Sequence, residues 1–150
     1  TNIMPDAEIA LAAPGAPSSS RSGSANTYRG GSGPDLGAYY MRPIAAGRKT
    51  QGIHGYNGVD LADSCGKPVY AAASGSVIIS RASGWNGGYG RYVVISHPNG
   101  TQTVYSHLTS VYAKAGSQVF QGTPIGTIGS TGKSTGCHLH FEVRGARNPF

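Results

Sequence analysis

The sequence predicts an all-β, antiparallel domain, a sheet or sandwich core whose glycine-rich loops frame a groove. Three observations predict it. Twenty-four glycines and nine prolines in 150 residues punctuate the chain too often for a helical bundle. Short runs of β-branched and aromatic residues alternate with turn signals. No window of about 12 residues carries the 3.6-residue period of an amphipathic helix.

The elements follow in order. Residues 1–35 differ from the rest: Ala, Ser, Gly and Pro fill 21 of the 35 positions, and Tyr28 is the only aromatic. Such a stretch buries too little apolar area to offset its ordering entropy, so a flexible linker is expected. The chain opens at Thr1 without a basic and apolar leader, as a processed or trimmed product does. From residue 36 to 150 a single domain is expected, with strands at Val69–Ala72, Val77–Ser80, Tyr92–Ser96, Thr103–Leu108, Pro124–Ile128 and Leu139–Arg144. Asn99–Gly100 is a hairpin signal, so Tyr92–His97 pairs with Thr101–Leu108. His97, just before Pro98, belongs to that turn.

Charge narrows the chemistry. The first 35 residues sum to −1, and the remaining 115 carry ten Lys and Arg against Asp60, Asp63 and Glu142, or +7. A basic domain favours an anionic partner. No basic helix or aromatic nucleic-acid signature is present, which argues against a nucleic-acid partner. No apolar run reaches the length of about 18 residues that a transmembrane helix needs.

Three familiar patterns fail on context. Gly129 to Ser134 approaches a phosphate-binding loop, but its first glycine is Thr127 and a strand follows instead of a helix. Gly132 to Gly136 has the spacing of a nucleophile elbow, again without the helix. Gly84 to Gly90 leads into the strand Tyr92–Ser96, which disfavours dinucleotide binding.

The histidines are more informative. His138 and His140 flank Leu139 in an expected strand, so both imidazoles share one face while Leu139, Phe141 and Val143 take the other. His107 lies on the expected hairpin strand, and His54 precedes Asp60 by six residues. A catalytic zinc takes three nitrogen or oxygen ligands and leaves one position open. Two histidines and one aspartate meet that need. With three carboxylates in the whole domain, any acid–base work falls to the remaining histidines.

Five ordered stretches carry a family resemblance: Asn57–Asp60, Cys65–Ala72, Ser74–Val77, Tyr105–Leu108 and Thr135–Glu142. They resemble the lysostaphin/LytM-type zinc endopeptidases, which cleave the peptide cross-links of bacterial peptidoglycan. The resemblance spans roughly Tyr39 to Phe150. It implies Zn2+ as cofactor, Asp60 and His140 as ligands, and His107 and His138 as catalytic histidines outside the metal shell. It also implies peptidoglycan stem or bridge peptides as partner, a location outside the cytoplasmic membrane, and a monomer.

One position departs from the pattern. The family's first ligand histidine falls at position 56, which is Tyr56. A bulge permitted by Gly55 and Gly58 would bring His54 to the metal instead. The alternatives are Tyr56 as a phenolate ligand or substrate contact, or a domain without metal. The last is the second functional reading: a catalytically inactive LytM-like domain that binds wall or activates another wall hydrolase.

Tyr56, Asn57 and Tyr105 are the candidate substrate contacts. Trp85, Asn86 and Tyr89 lie in a loop able to wall the cleft, and Glu142 shares the face of His138 and His140. Glu142 either orients one of those histidines or pairs with Arg144 or a lysine. In an exported domain Cys65 and Cys137 are expected to pair. The rivals are thiolate ligation of zinc and a Cys137–His138 dyad, which their opposite strand faces disfavour.

Overall fold

The computed structural model describes residues 36–54 and 57–150. The expected linker 1–35 and Tyr56 lie outside the described residues. Among the described residues there are nine strands: β1 (Arg48–His54), β2 (Gly58–Ala62), β3 (Pro68–Tyr70), β4 (Gly75–Arg81), β5 (Arg91–Ser96), β6 (Gln102–Val111), β7 (Gln118–Val119), β8 (Pro124–Ile128) and β9 (His138–Arg144). Two single 3-10 turns, Gly37–Tyr39 and Asn86–Gly88, are the other regular elements among the described residues. None of these is a helix long and apolar enough to cross a membrane.

Every pairing is antiparallel, and the sheet runs β1-β2-β9-β6-β5-β4-β7. Strand β6 branches: its first half pairs with β9, while Leu108 to Val111 pair with β8, which in turn holds β3. The all-β antiparallel class expected from the sequence is thus the class observed. The Asn99–Gly100 hairpin also forms, with Ser96 opposite Gln102 in register. Gly100 takes φ 90°, a left-handed conformation that glycine adopts without strain, and its N–H donates to the His97 carbonyl.

Three strands carry too weak a pattern to be expected. Strand β1 is exposed along almost its whole length, so it has no apolar alternation; β2 is short and carries a glycine and an aspartate; β7 has two residues.

Strand β9 shows how the fold separates two faces. Leu139, Phe141 and Val143 are fully buried in the main apolar core with Val59, Leu61, Tyr105 and Ile128. Each such side chain contributes roughly 1.5–3 kcal/mol by leaving water. His138, His140, Glu142 and Arg144 point to the opposite face, beside a smaller cluster of Ile79, Tyr89, Tyr92, Val94 and Val104.

His97 is 2% exposed, and its two ring nitrogens meet the Ser74 carbonyl and Thr103 Oγ1 at 2.8 Å each. It is therefore a core residue of the hairpin end. Cys65 and Cys137 form a disulfide across 72 residues of sequence. Both rival readings of the cysteines fall with that bond.

Two stability predictions follow. Burial lowers the His97 pKa to about 4, although the Ser74 hydrogen bond opposes the shift. Above pH 6.5 neither the folded nor the unfolded form is charged at His97. Between pH 6.5 and 4 only the unfolded chain gains the proton, so stability falls by up to about 3 kcal/mol. Urea unfolding across that window should show a flatter pH dependence in His97→Asn than in the parent. The double change Cys65→Ala, Cys137→Ala should lower unfolding free energy by about 4 kcal/mol under non-reducing conditions. An unchanged urea midpoint would contradict this.

Candidate active site

The site is built on the register between β2 and β9. Asp60 stands directly opposite His140, with Gly58 opposite Glu142 and Ala62 opposite His138. His140 Nδ1 lies 2.8 Å from Asp60 Oδ1. His54 ends β1, whose pairing with β2 slips between Gln51 and His54. That irregularity turns the imidazole inward, and its Nε2 comes within 3.4 Å of Asp60 Oδ1. One ligand atom each from His54, Asp60 and His140 lies within 4.8 Å of the other two.

Hydrogen bonds select one nitrogen of each ring. His54 Nδ1 donates to the Gly52 carbonyl at 2.7 Å, leaving Nε2 facing Asp60. His140 Nε2 donates to Glu142 Oε2 at 2.9 Å, leaving Nδ1 facing Asp60. Two imidazole nitrogens and one carboxylate converging in this way match the donor types that a catalytic zinc takes. Burial disfavours charge on His140, but hydrogen bonds to Asp60 and Glu142 outweigh it and raise the ring's pKa to about 9. Burial likewise disfavours the Asp60 carboxylate; the His140 hydrogen bond and the charges of His140, His138 and His54 outweigh it and lower the pKa. A bound cation would displace the proton on His140 Nδ1.

No side chain is possible at Gly58. A Cβ there would sit 2.6 Å from His140 Cε1 and 2.7 Å from its Nε2, so the ring packs directly against the bare backbone.

His107 and His138 form the second half, with ring centroids 4.8 Å apart. Strand alternation alone would place His107 on the buried face of Tyr105. The β5–β6 ladder slips between Arg91 and Val93, so three steps of β6 (Tyr105 to Leu108) span two of β5. His107 occupies the bulge at φ 65° and is released from the core face. Its backbone N–H donates to the Tyr89 carbonyl, and its Nδ1 donates to the Thr131 carbonyl at 2.7 Å. Burial pushes its pKa down to about 4, against the Thr131 hydrogen bond, so the ring is neutral near pH 7. His138 Nδ1 donates to the Gly136 carbonyl at 3.0 Å, and its Nε2 stands 3.7 Å from Asp60 Oδ2.

Two loops hold these rings. Gly90 and Gly132 let the segments around them meet backbone to backbone: a Cβ on Gly132 would lie 2.4 Å from the Gly88 carbonyl oxygen. Lys133 N–H donates to the Gly88 carbonyl, and Thr131 Oγ1 bridges Arg91 N–H and the Leu108 carbonyl. The glycines that mimic a phosphate-binding loop therefore seat Thr131 for His107. The disulfide fixes Cys137, the residue before His138, to the segment after β2.

Several expectations need correction. Tyr105 is fully buried; its hydroxyl accepts from Ala72 N–H at 2.9 Å and pairs with Thr103 Oγ1, so it packs the core and cannot meet a substrate. Asn57 is also fully buried, its amide donating to the Val143 and Ala146 carbonyls; it ties β2 to the end of the chain and is no substrate contact. Tyr89 is not a cleft wall either, being fully buried, whereas Trp85 in the same loop is 61% exposed. Glu142 both orients His140 and pairs with Arg144, whose Nη2 lies 3.0 Å from Oε1.

Residues 54–150 match the model of peptidase family M23. The chain is 44% identical over 106 residues to the DD-carboxypeptidase/endopeptidase Mpg of Neisseria meningitidis, covering 71% of this chain and 23% of that protein. It is 43% identical over 94 residues to the peptidoglycan DD-endopeptidase ShyA of Vibrio cholerae, covering 63% and 21%. It therefore spans between a fifth and a quarter of the length of these relatives. The catalytic domain of the antimicrobial peptidase lysostaphin from Staphylococcus simulans superposes with a TM-score of 0.56 at 34% identity, covering 74% of this chain and 81% of that one. Given the match from His54 to the last residue and the nine-stranded fold that carries it, the chain belongs to peptidase family M23.

Proposed function

We propose that this domain is a zinc-dependent endopeptidase that hydrolyses peptide cross-links of bacterial peptidoglycan outside the cytoplasmic membrane. The observation that carries the reading is the convergence of His54, Asp60 and His140 within 4.8 Å beside the His107–His138 pair. The names of the relatives, an endopeptidase and a peptidoglycan DD-endopeptidase, support the substrate class. The +7 domain suits an anionic wall polymer.

His54 Nε2, Asp60 Oδ1 and His140 Nδ1 would hold the ion. When bound, zinc supplies a Lewis acid that polarises an amide carbonyl and acidifies water at neutral pH. The chain's own residues do the rest. His107, neutral and with Nε2 unprotonated, takes a proton from the attacking water. His138 would act as the imidazolium: with Nδ1–H on the Gly136 carbonyl, its Nε2–H points to the oxyanion and then passes to the leaving amine, and the proton that His107 took from water restores it for the next turnover.

Metal content and turnover on purified wall separate the roles. His107→Ala and His138→Ala should each keep one zinc per chain and lose about 10²–10⁴-fold in turnover. Asp60→Ala and His140→Ala should lose the zinc itself. His54→Ala decides the departure from the family pattern: loss of zinc assigns that residue, and retained zinc returns the assignment to Tyr56. Full activity in His138→Ala would remove the mechanism, and a zinc-free active parent would remove the metal. A parent with neither zinc nor activity would support the activator reading.

A further inference from the structure

Glu142 is a fully buried carboxylate that uses both oxygens. Oε1 accepts from Arg144 Nε at 3.2 Å and Nη2 at 3.0 Å. Oε2 accepts from the Tyr89 hydroxyl at 2.5 Å and from His140 Nε2 at 2.9 Å. Neutralising Arg144 requires only Oε1. Oε2 is committed to a different task, and Tyr89 is its second partner.

Tyr89 touches both halves of the site. Its backbone carbonyl accepts the His107 N–H at 2.9 Å, its ring centroid lies 6.2 Å from that of His140, and it is fully buried. Its hydroxyl has a fixed direction because Arg144 Nη2 approaches the same oxygen at 3.4 Å, which leaves the proton for Glu142. A carboxylate oxygen so held offers its remaining lone pair to one place, His140 Nε2.

We propose that Tyr89 is a positioning residue for metal binding. Through Glu142 it locks His140 with its proton on Nε2 and its Nδ1 lone pair turned to the ion, and its backbone seats His107 at the same time. The proposal rests on the zinc reading above. Partners behind a ligand imidazole typically govern metal affinity by about 10–100-fold.

Tyr89→Phe is the clean variant, since it keeps the ring and the backbone contact to His107 and removes only the hydroxyl. Zinc affinity, measured by competition with a chromophoric chelator, should fall about tenfold. Long-range 15N spectra of the zinc-loaded protein should show the His140 Nε2 proton slow to exchange in the parent and faster in Tyr89→Phe. Glu142→Gln should weaken zinc further; should that variant not fold with Arg144 unpaired, Tyr89→Phe decides alone. Equal zinc affinity and equal Nε2 proton exchange in Tyr89→Phe and parent overturn the lock while leaving the metal site in place. A melting temperature that drops with both readouts unmoved identifies a packing role and also overturns it. A parent that takes up no zinc overturns the metal reading, and the lock with it.

Discussion

The register between β2 and β9 is the constraint on which the rest of this molecule depends. Asp60 faces His140 across the ladder, and a slip of one residue would turn Asp60 to the wrong face. Apolar residues hold the register. Val59 and Leu61 on β2 and Leu139, Phe141 and Val143 on β9 are all buried in one core, so sliding either strand would expose them together. Packing on one face thus sets the chemistry on the other. The link runs from alternation in the sequence to burial, and from burial to a 2.8 Å contact.

Regular strands alone would not complete the site. Two departures from regularity bring in the other rings: the slip between Gln51 and His54, and the bulge that releases His107 from the Tyr105 face. Each moves one histidine across a boundary that strict alternation would respect. Bulges of this kind disrupt a ladder locally and re-aim a side chain. The surrounding hydrogen bonds then fix what the bulge has freed, Gly52 for His54 and Thr131 for His107.

These two kinds of feature differ in how much of them the sequence reveals. The face carrying His138, His140 and Glu142 was legible because period 2 is written directly into the residues of β9. The 5–6 hairpin was legible because Asn99–Gly100 names its own turn. His54 was reachable because Gly55 and Gly58 flank the place where a shift was required. Tyr105 shows the converse: no residue near it announces the bulge, so plain alternation puts it on the face of His107, which it does not share. Asn57 sits beside Asp60 in sequence, yet φ 63° and two carbonyl acceptors turn it into the interior. Thr131 meets His107 through its main-chain carbonyl, and that contact itself leaves no mark on residue type. Tyr89 meets Glu142 across 53 residues of sequence, a separation that no local pattern encodes.

The left-handed backbone at His107 has a further consequence. That conformation costs a residue with a Cβ on the order of 1 kcal/mol, and glycine escapes the cost. Burial of the ring in a site that keeps it neutral adds to the expense at acid pH. The buried ring and its bond to the Thr131 carbonyl offset that cost, so the histidine is held against its own backbone preference by the same contacts that aim it into the site. Strain at this one position is thus part of what keeps the ring from sampling other directions.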